Sequence, residues 1–349
     1  MDIDPFGRRE LFVGAGGAFL CTLAGQRVFT DRAANVEELS SQIKVPPKVK
    51  AAEGSTVLAP SKQIPIVADG GQRREYWIRA EQVKWNIVPT GRDAMMDKKV
   101  KGKTKFTAYA YRAYSPNFAA PLGPATIPGP LIEAETGDAI VVNFQNALST
   151  PVTIHPHGVF YSEDMDGAYK GRHTDPGGFV QPKQTFQYVW EAREGTEGAW
   201  LYHDHGPMDP LPVFKGLFGS LIIRKAGAPV PTREFNLAFH SFSPVATGLQ
   251  SNFSCVNGYA YAGNTPTLQS VVGDSVTFNV FALDNDFHTF HLHGHRWTNE
   301  AGKVIDNQTL GPGDSISASF IEDNPGRWFY HCHVFSHLHE GMNGWYLVS

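Results

Sequence analysis

Gly198-Ala199-Trp200-Leu201-Tyr202-His203-Asp204-His205 and Gly326-Arg327-Trp328-Phe329-Tyr330-His331-Cys332-His333 align without a gap. Upstream of each phrase the match continues. Gly137-Asp138 is followed by His155 and His157, and Gly273-Asp274 by His291 and His293, with offsets of 17 and 19 residues from the Asp in both halves. Each half therefore carries two His-x-His pairs at matched places, the mark of an internal duplication. The surrounding runs are short, β-branched and aromatic, separated by Gly, Pro, Asn and Asp, with no long helical periodicity. Val276, Phe278 and Val280 alternate with Thr277 and Asn279, as in a strand with one buried face. The expectation is an all-β chain of two tandem Greek-key β-sandwich domains.

The chain has 349 residues, enough for about two domains. At 42% hydrophobic and 18% charged it is neither disordered nor a coiled coil, and a net charge of −4 is too mild to imply nucleic acid as partner. Three cysteines, Cys21, Cys255 and Cys332, cannot build a disulfide framework, and Cys255 reads as a small buried hydrophobe. Ala226-Gly227-Ala228-Pro229-Val230-Pro231 is a stiff link, placing the first domain at 73–226 and the second at 227–349. Residues 36–72 read as a flexible arm, and the five lysines between Lys98 and Lys105 as a solvated hairpin loop. Residues 1–35 read as an export signal with a mature-end arm. Arg8-Arg9 precedes a short apolar run from Leu11 to Gly25, which resembles a bacterial Tat signal and implies a periplasmic or extracellular protein. That run is shorter than the roughly 20 residues a spanning helix needs, so no membrane span is expected after signal removal.

Of 14 histidines, most fall in tight clusters. At this abundance chance supplies roughly 0.6 His-x-His pairs; six occur, four of them in matched repeat positions. On a strand, side chains alternate with period 2, so both imidazoles of a pair share a face, and two adjacent strands offer four nitrogens at one sheet end. Such clusters suit zinc, copper, iron or nickel. The second half decides among them, because Cys332 lies between paired histidines, with His288 upstream and His337 and Met342 downstream. Two His, one Cys and a weak axial Met form the blue-copper set. In the first half Val152, Asp204, Asp209 and Phe214 stand at those four places, so one copy lacks that centre.

The motifs His155-Pro-His157-Gly158, His203-Asp-His205, His288-Thr-Phe-His291-Leu-His293 and His331-Cys332-His333-Val-Phe-Ser-His337-Leu-His-Glu-Gly-Met342 resemble those of the multicopper oxidases. Pro128-Gly129-Pro130-Leu-Ile132 matches the family's lead-in, and the absence of a middle domain resembles the two-domain (small) laccases. The resemblance implies tandem cupredoxin-like domains and about four coppers per chain. It implies type 1 copper on His288, Cys332, His337 and Met342, and type 2 on His155 and His291. The type 3 pair would take His157, His203, His205, His293, His331 and His333. His173, His240, His295 and His339 are left as non-ligands. The implied activity is one-electron oxidation of phenolic or similar donors coupled to reduction of O₂ to water, with Cys332 joining the centres through its two histidine neighbours.

Asp166, nine residues after His157, matches a family acid that assists proton delivery, and equally reads as an Asp-Gly turn. Leu338 stands where many three-domain members place a glutamate. Each domain holds four of the eight cluster histidines, and in the two-domain relatives the halves meet between neighbouring chains, implying a homotrimer. Two rivals remain. A copper nitrite reductase would carry its blue site in the first domain, and a non-catalytic copper carrier would have lost ligands.

Overall fold

The computed structural model describes residues 67–349 apart from 69, 172–176 and 209, together with the backbone of two strands nearer the start. Those strands, Phe19–Leu23 and Gln26–Thr30, pair antiparallel with Phe19 opposite Thr30, in a unit spanning Met1–Gly54. The Arg8-Arg9 pair, most of the arm and His173 lie outside the described residues. No described helix is long and apolar enough to cross a membrane.

Within Ser55–Ser349 the architecture is all-β, two cupredoxin-like sandwiches. In the first, one sheet orders Thr185–Glu191, Ala139–Asn146, Arg73–Asn86 and Lys105–Ala113. The facing sheet orders Ile132–Glu135, Phe218–Arg224, Gly198–His203 and His155–Pro156. In the second, one sheet orders Phe253–Val256, Arg233–Phe242, Ser275–Ala282 and Ser315–Ile321. Its partner orders Leu268–Ser270, Asn343–Val348, Gly326–Cys332, His288–Leu292 and Asn307–Leu310. The duplication extends to strand direction. The opening strand of each domain runs parallel to its central neighbour, Arg73 beside Ala139 and Arg233 beside Val276.

Matched residues hold matched joints. Asp138 and Asp274 each accept the amide three residues upstream, both at 2.9 Å, and each pairs with the arginine opening its domain, Arg74 at 2.7 Å and Arg233 at 3.2 Å. The end of the arm is tied to the same turn, Ala68 N–H donating to the Gly137 carbonyl at 3.0 Å. Tyr202 and Tyr330 donate their hydroxyls to the carbonyls of Pro130 and Pro266 at 2.5 and 2.6 Å. A buried hydroxyl needs such a partner, because leaving it unpaired costs about 1–3 kcal/mol.

Each sandwich has its own core. Ile140, Phe144, Tyr188, Trp190 and Tyr202 fill the first, and Phe278, Phe290, Tyr330 and Tyr346 the second. A further cluster joins the domains, with Trp85, Phe106 and Phe218 packed on Ala238, Phe242, Phe253 and fully buried Cys255. Each of these large side chains contributes about 1.5–3 kcal/mol by leaving water. Val276, Phe278 and Val280 point into the core as the alternation requires. Asn279, expected on the wet face, is instead buried, because on the outer face of that sheet Phe281 packs against Ala199, Leu201 and Ile222 of the first domain. Its amide donates to Glu234 and Asn236 at 3.0 and 2.9 Å.

Candidate metal centres

Both His-x-His pairs of a domain come together because their strands are neighbours in register. His203 stands opposite His155, and His331 opposite His291. The rings of His155, His157, His203 and His205 lie 5.2–5.6 Å apart, centroid to centroid, in the pairs that touch. Those of His291, His293, His331 and His333 lie 5.0–5.4 Å apart. The sequence-predicted cluster ligands thus form two quartets, one per domain. Among the described residues, no group of three ligand atoms within 4.8 Å of one another draws on both domains. The first quartet is half-buried, whereas His293 and His333 of the second are exposed.

Backbone carbonyls orient the rings. His155 Nδ1 lies 2.6 Å from the Asp166 oxygen, and His203 Nδ1 2.7 Å from that of Asp204. His291 Nδ1 lies 2.7 Å from the Asp306 oxygen, and His331 Nδ1 2.8 Å from that of Cys332. A carbonyl only accepts, so each of these Nδ1 atoms carries the proton and each Nε2 presents a lone pair. The Nε2 atoms of His203 and His331 each face a neighbouring ring, 3.1 Å from Nε2 of His157 and of His293 respectively. Burial, reinforced by neighbouring histidines, holds His157 down to about 4. It takes His203 to about 3 and His331 to about 4 against the pull of their carbonyl partners. These three rings are therefore neutral at pH 7, the form that ligates metal.

The third group, His288, Cys332, His337 and Met342, lies inside the second domain, where His288, Cys332 and Met342 are wholly buried. Cys332 faces away from its histidine neighbours because strand side chains alternate. Its Sγ is 3.9 Å from His288 Nδ1 and 3.6 Å from His337 Nδ1. Ligands at ~2.0 Å (N) and ~2.3 Å (S) on one tetrahedral or trigonal ion stand about 3.5–3.7 Å apart, so the trio is spaced for a metal. Burial opposes ionisation of the thiol, yet His288, His337 and the Thr289 amide hold it down to about 6. His288 rises to about 9 despite burial, through Asp284 and Cys332. The helix Phe335–Glu340 carries His337 and ends at Gly341, whose left-handed φ of +117° turns the chain so that Met342 N–H donates to the His337 carbonyl at 2.9 Å.

The first domain shows what occupies the same place without a centre. There Thr153 N–H donates to Asp204 Oδ1 at 2.7 Å, where Thr289 N–H donates to Cys332 Sγ at 3.4 Å. A carboxylate takes the thiol's position and its amide, and Val152 replaces His288. Asp166 stands against the first quartet, its Oδ1 3.1 Å from His155 Nδ1 and its Oδ2 2.8 Å from Lys170 Nζ. The Asp-Gly turn is present, Gly167 behind Asp166 turning with φ +71° under the Ile154 carbonyl.

Sequence reasoning missed Asp284, whose Oδ1 sits 3.0 Å from His288 Nε2; its spacing four residues before His288 is the only signal. It also missed a buried network in which His295 Nε2 meets Glu322 at 2.9 Å while Tyr346 donates to the same carboxylate. His240, another non-ligand, is buried and accepts the Gly258 amide at 3.0 Å. His339 is exposed.

The fold and these three groups define a class of copper-centred cupredoxin proteins, and comparison with known proteins gives the family. The multicopper oxidase signature is matched over residues 124–227 and again over 238–349, and this chain belongs to the multicopper oxidase family. It is 28% identical over 346 residues to mouse "Ferroxidase HEPHL1", covering 80% of this chain and 30% of that protein. It is 31% identical over 240 residues to the "Probable nitrite reductase-hydroxylamine oxidoreductase fusion protein" of Kuenenia stuttgartiensis, covering 64% of this chain and 28% of that one. The chain thus spans less than a third of the length of these relatives. A solved multicopper oxidase structure superimposes with a TM-score of 0.64 at 25% identity, covering 79% of this chain and 89% of that one. Members of the family are copper oxidoreductases, and the soft thiolate, thioether and neutral imidazoles found here suit copper.

Proposed function

We propose that this protein is a laccase-like oxidase that couples one-electron oxidation of phenolic or similar small donors to four-electron reduction of O₂ to water. The observation that carries the reading is a buried Cys-His-His-Met centre in one domain only, joined through Cys332 to a histidine quartet whose counterpart stands in the other. His288, Cys332, His337 and Met342 would hold type 1 copper, His155 and His291 type 2, and His157, His203, His205, His293, His331 and His333 the type 3 pair. About four coppers per chain would supply one-electron uptake at the cysteine centre and multi-electron chemistry at the histidine cluster. The balance is four phenols and one O₂ giving four phenoxyl radicals and two waters.

The chain's own residues prepare this. The carbonyl anchors fix His155, His203, His291 and His331, two rings of each quartet, before metal arrives, so less order is lost on binding. Burial of the cysteine centre excludes water, and the peptide run His331-Cys332-His333 places the two kinds of site on adjacent residues. The Asp166 carboxylate, 3.1 Å from His155 Nδ1 and 2.8 Å from Lys170 Nζ, is placed beside the first quartet to relay the protons that water formation consumes.

Each quartet supplies only half of a cluster, and the second opens to the surface, which supports a homotrimer in which the first domain of one copy covers the second domain of the next. The Arg8-Arg9 leader supports Tat-type export to the periplasm or beyond.

Oxygen uptake by the copper-loaded chain tests the reading: consumption with a phenolic donor supports it, and none with phenols, aromatic amines or Fe(II) removes it. The Kuenenia relative favours a second reading, nitrite reduction. Donor oxidation that needs nitrite and ignores O₂ would establish that instead.

A further inference from the structure

A surface hairpin of the first domain is fastened to the loop that backs the cysteine centre of the second. In the hairpin, Arg92–Asp93 pairs with Lys98–Lys99. Ala94 N–H donates to the Ala262 carbonyl at 2.9 Å. Thr90 donates its amide and hydroxyl to Asn264 Oδ1 at 2.9 and 2.8 Å, and Asn264 returns a bond to the Arg92 carbonyl at 2.8 Å. The same loop leans on the metal site from its other side. Tyr261 N–H donates to the Gly341 carbonyl at 2.7 Å, one residue from Met342, and Ala262 N–H donates to Asn343 Oδ1 at 3.0 Å.

Between hairpin and loop lies a cleft of about 220 Å³, lined by half-buried Tyr261 and an edge of Phe253, which is otherwise buried in the shared core, with Lys98, Lys99 and Lys101 around it. The three lysines are exposed, and none has an ion-pair partner among the described residues. Asp93, the cleft's acid, is already engaged, its Oδ1 accepting the Met95 and Met96 amides at 2.9 and 3.3 Å. The volume suits one aromatic ring rather than a chain segment. The unpartnered cationic rim complements a negative charge.

We propose that this cleft docks a small anionic aromatic donor, a phenol carrying a carboxylate or sulfonate, one loop away from the cysteine centre. The proposal rests on the oxidase reading for its consequence but not for the binding itself. Ring and charge are recognised separately. A neutral phenol gains only the aromatic walls, whereas the anionic one also gains the lysine rim, so the lysines act on KM for charged donors.

The test pairs 4-hydroxy-3,5-dimethoxybenzoate with 2,6-dimethoxyphenol, the same ring without the carboxylate. Both are assayed by oxygen uptake on the copper-loaded full chain, in the wild type and in Lys98→Gln/Lys99→Gln/Lys101→Gln. The expected result is a fall of about ten-fold in the ratio of kcat/KM for the benzoate to that for the neutral phenol, carried by KM. Adding about 0.5 M salt to the wild type should reproduce it by screening. An unchanged ratio overturns the proposal. Calorimetric titration of the benzoate into the metal-free chain separates the two readings. Binding that the triple variant loses supports the cleft even if no donor drives oxygen uptake, which would sink the oxidase reading alone. Equal binding by both proteins, or none to the wild type, overturns the cleft.

Discussion

The thiol of Cys332 and the carboxylate of Asp204 take the matching backbone amide in two copies of one scaffold, one of the four substitutions that leave the first domain without a Cys-His-His-Met group. Cys332→Ser is expected to abolish the thiolate absorption while leaving the histidine quartets able to bind metal. Retained colour would place the chromophore elsewhere. Asp166→Asn keeps the side chain's size and removes a group that can take up and release a proton, so O₂ consumption should fall about 10²-fold while anaerobic reduction of the blue chromophore keeps its rate. Unchanged turnover would remove Asp166 from proton delivery. The quartets also set a pH dependence. His157, His203 and His331 are held at about 4, 3 and 4 in the folded chain, below the ordinary 6.5. Between those values the unfolded chain binds more protons than the folded one, so stability of the metal-free protein falls as pH drops below 6.5. Urea midpoints at pH 7 and pH 5 check this, and an equal or higher midpoint at pH 5 contradicts it.

At the scale of elements, the motif His-x-His-Gly is a packing unit as well as a ligand pair. Gly158 and Gly294 both sit at φ +74°, and a Cβ on them would fall 2.0 Å and 2.6 Å from the rings of Trp200 and Trp328. Each indole donates in turn to a carbonyl four residues upstream, at 2.8 Å in both domains. Gly158→Ala must adopt a left-handed backbone and displace the indole, which is expected to cost about 3 kcal/mol in thermal or denaturant unfolding. A loss under about 0.5 kcal/mol would mean the tryptophan is not held as described. This level was the most legible in the sequence, because short motifs recur at fixed spacing and strand alternation turns spacing into a shared face. Contacts made by unpatterned residues were not legible. Asp306 reaches His291 from fifteen residues away through a carbonyl any residue could supply. Asn279 is dry because the first domain packs on the outer face of its sheet, which local alternation cannot reveal.

At the scale of the whole molecule, the shared core of Trp85, Phe106, Phe218, Phe242 and Phe253 holds the two domains of one chain together, while among the described residues no three ligand atoms from both quartets come together. The account therefore expects a trimer in solution, with assembly promoted by copper because metal bridges the halves. Light scattering together with the oxygen assay checks it, and a monomer with full oxidase activity contradicts it. The duplication, the two histidine quartets and the Cys-His-His-Met group could be read from sequence, whereas the relation between halves could not, since it depends on surfaces without periodic pattern. The most direct measurement is metal analysis and visible absorption on one copper-loaded sample. About four coppers per chain and an intense thiolate band are the predicted result. A colourless protein, or one holding a single zinc, would contradict the account.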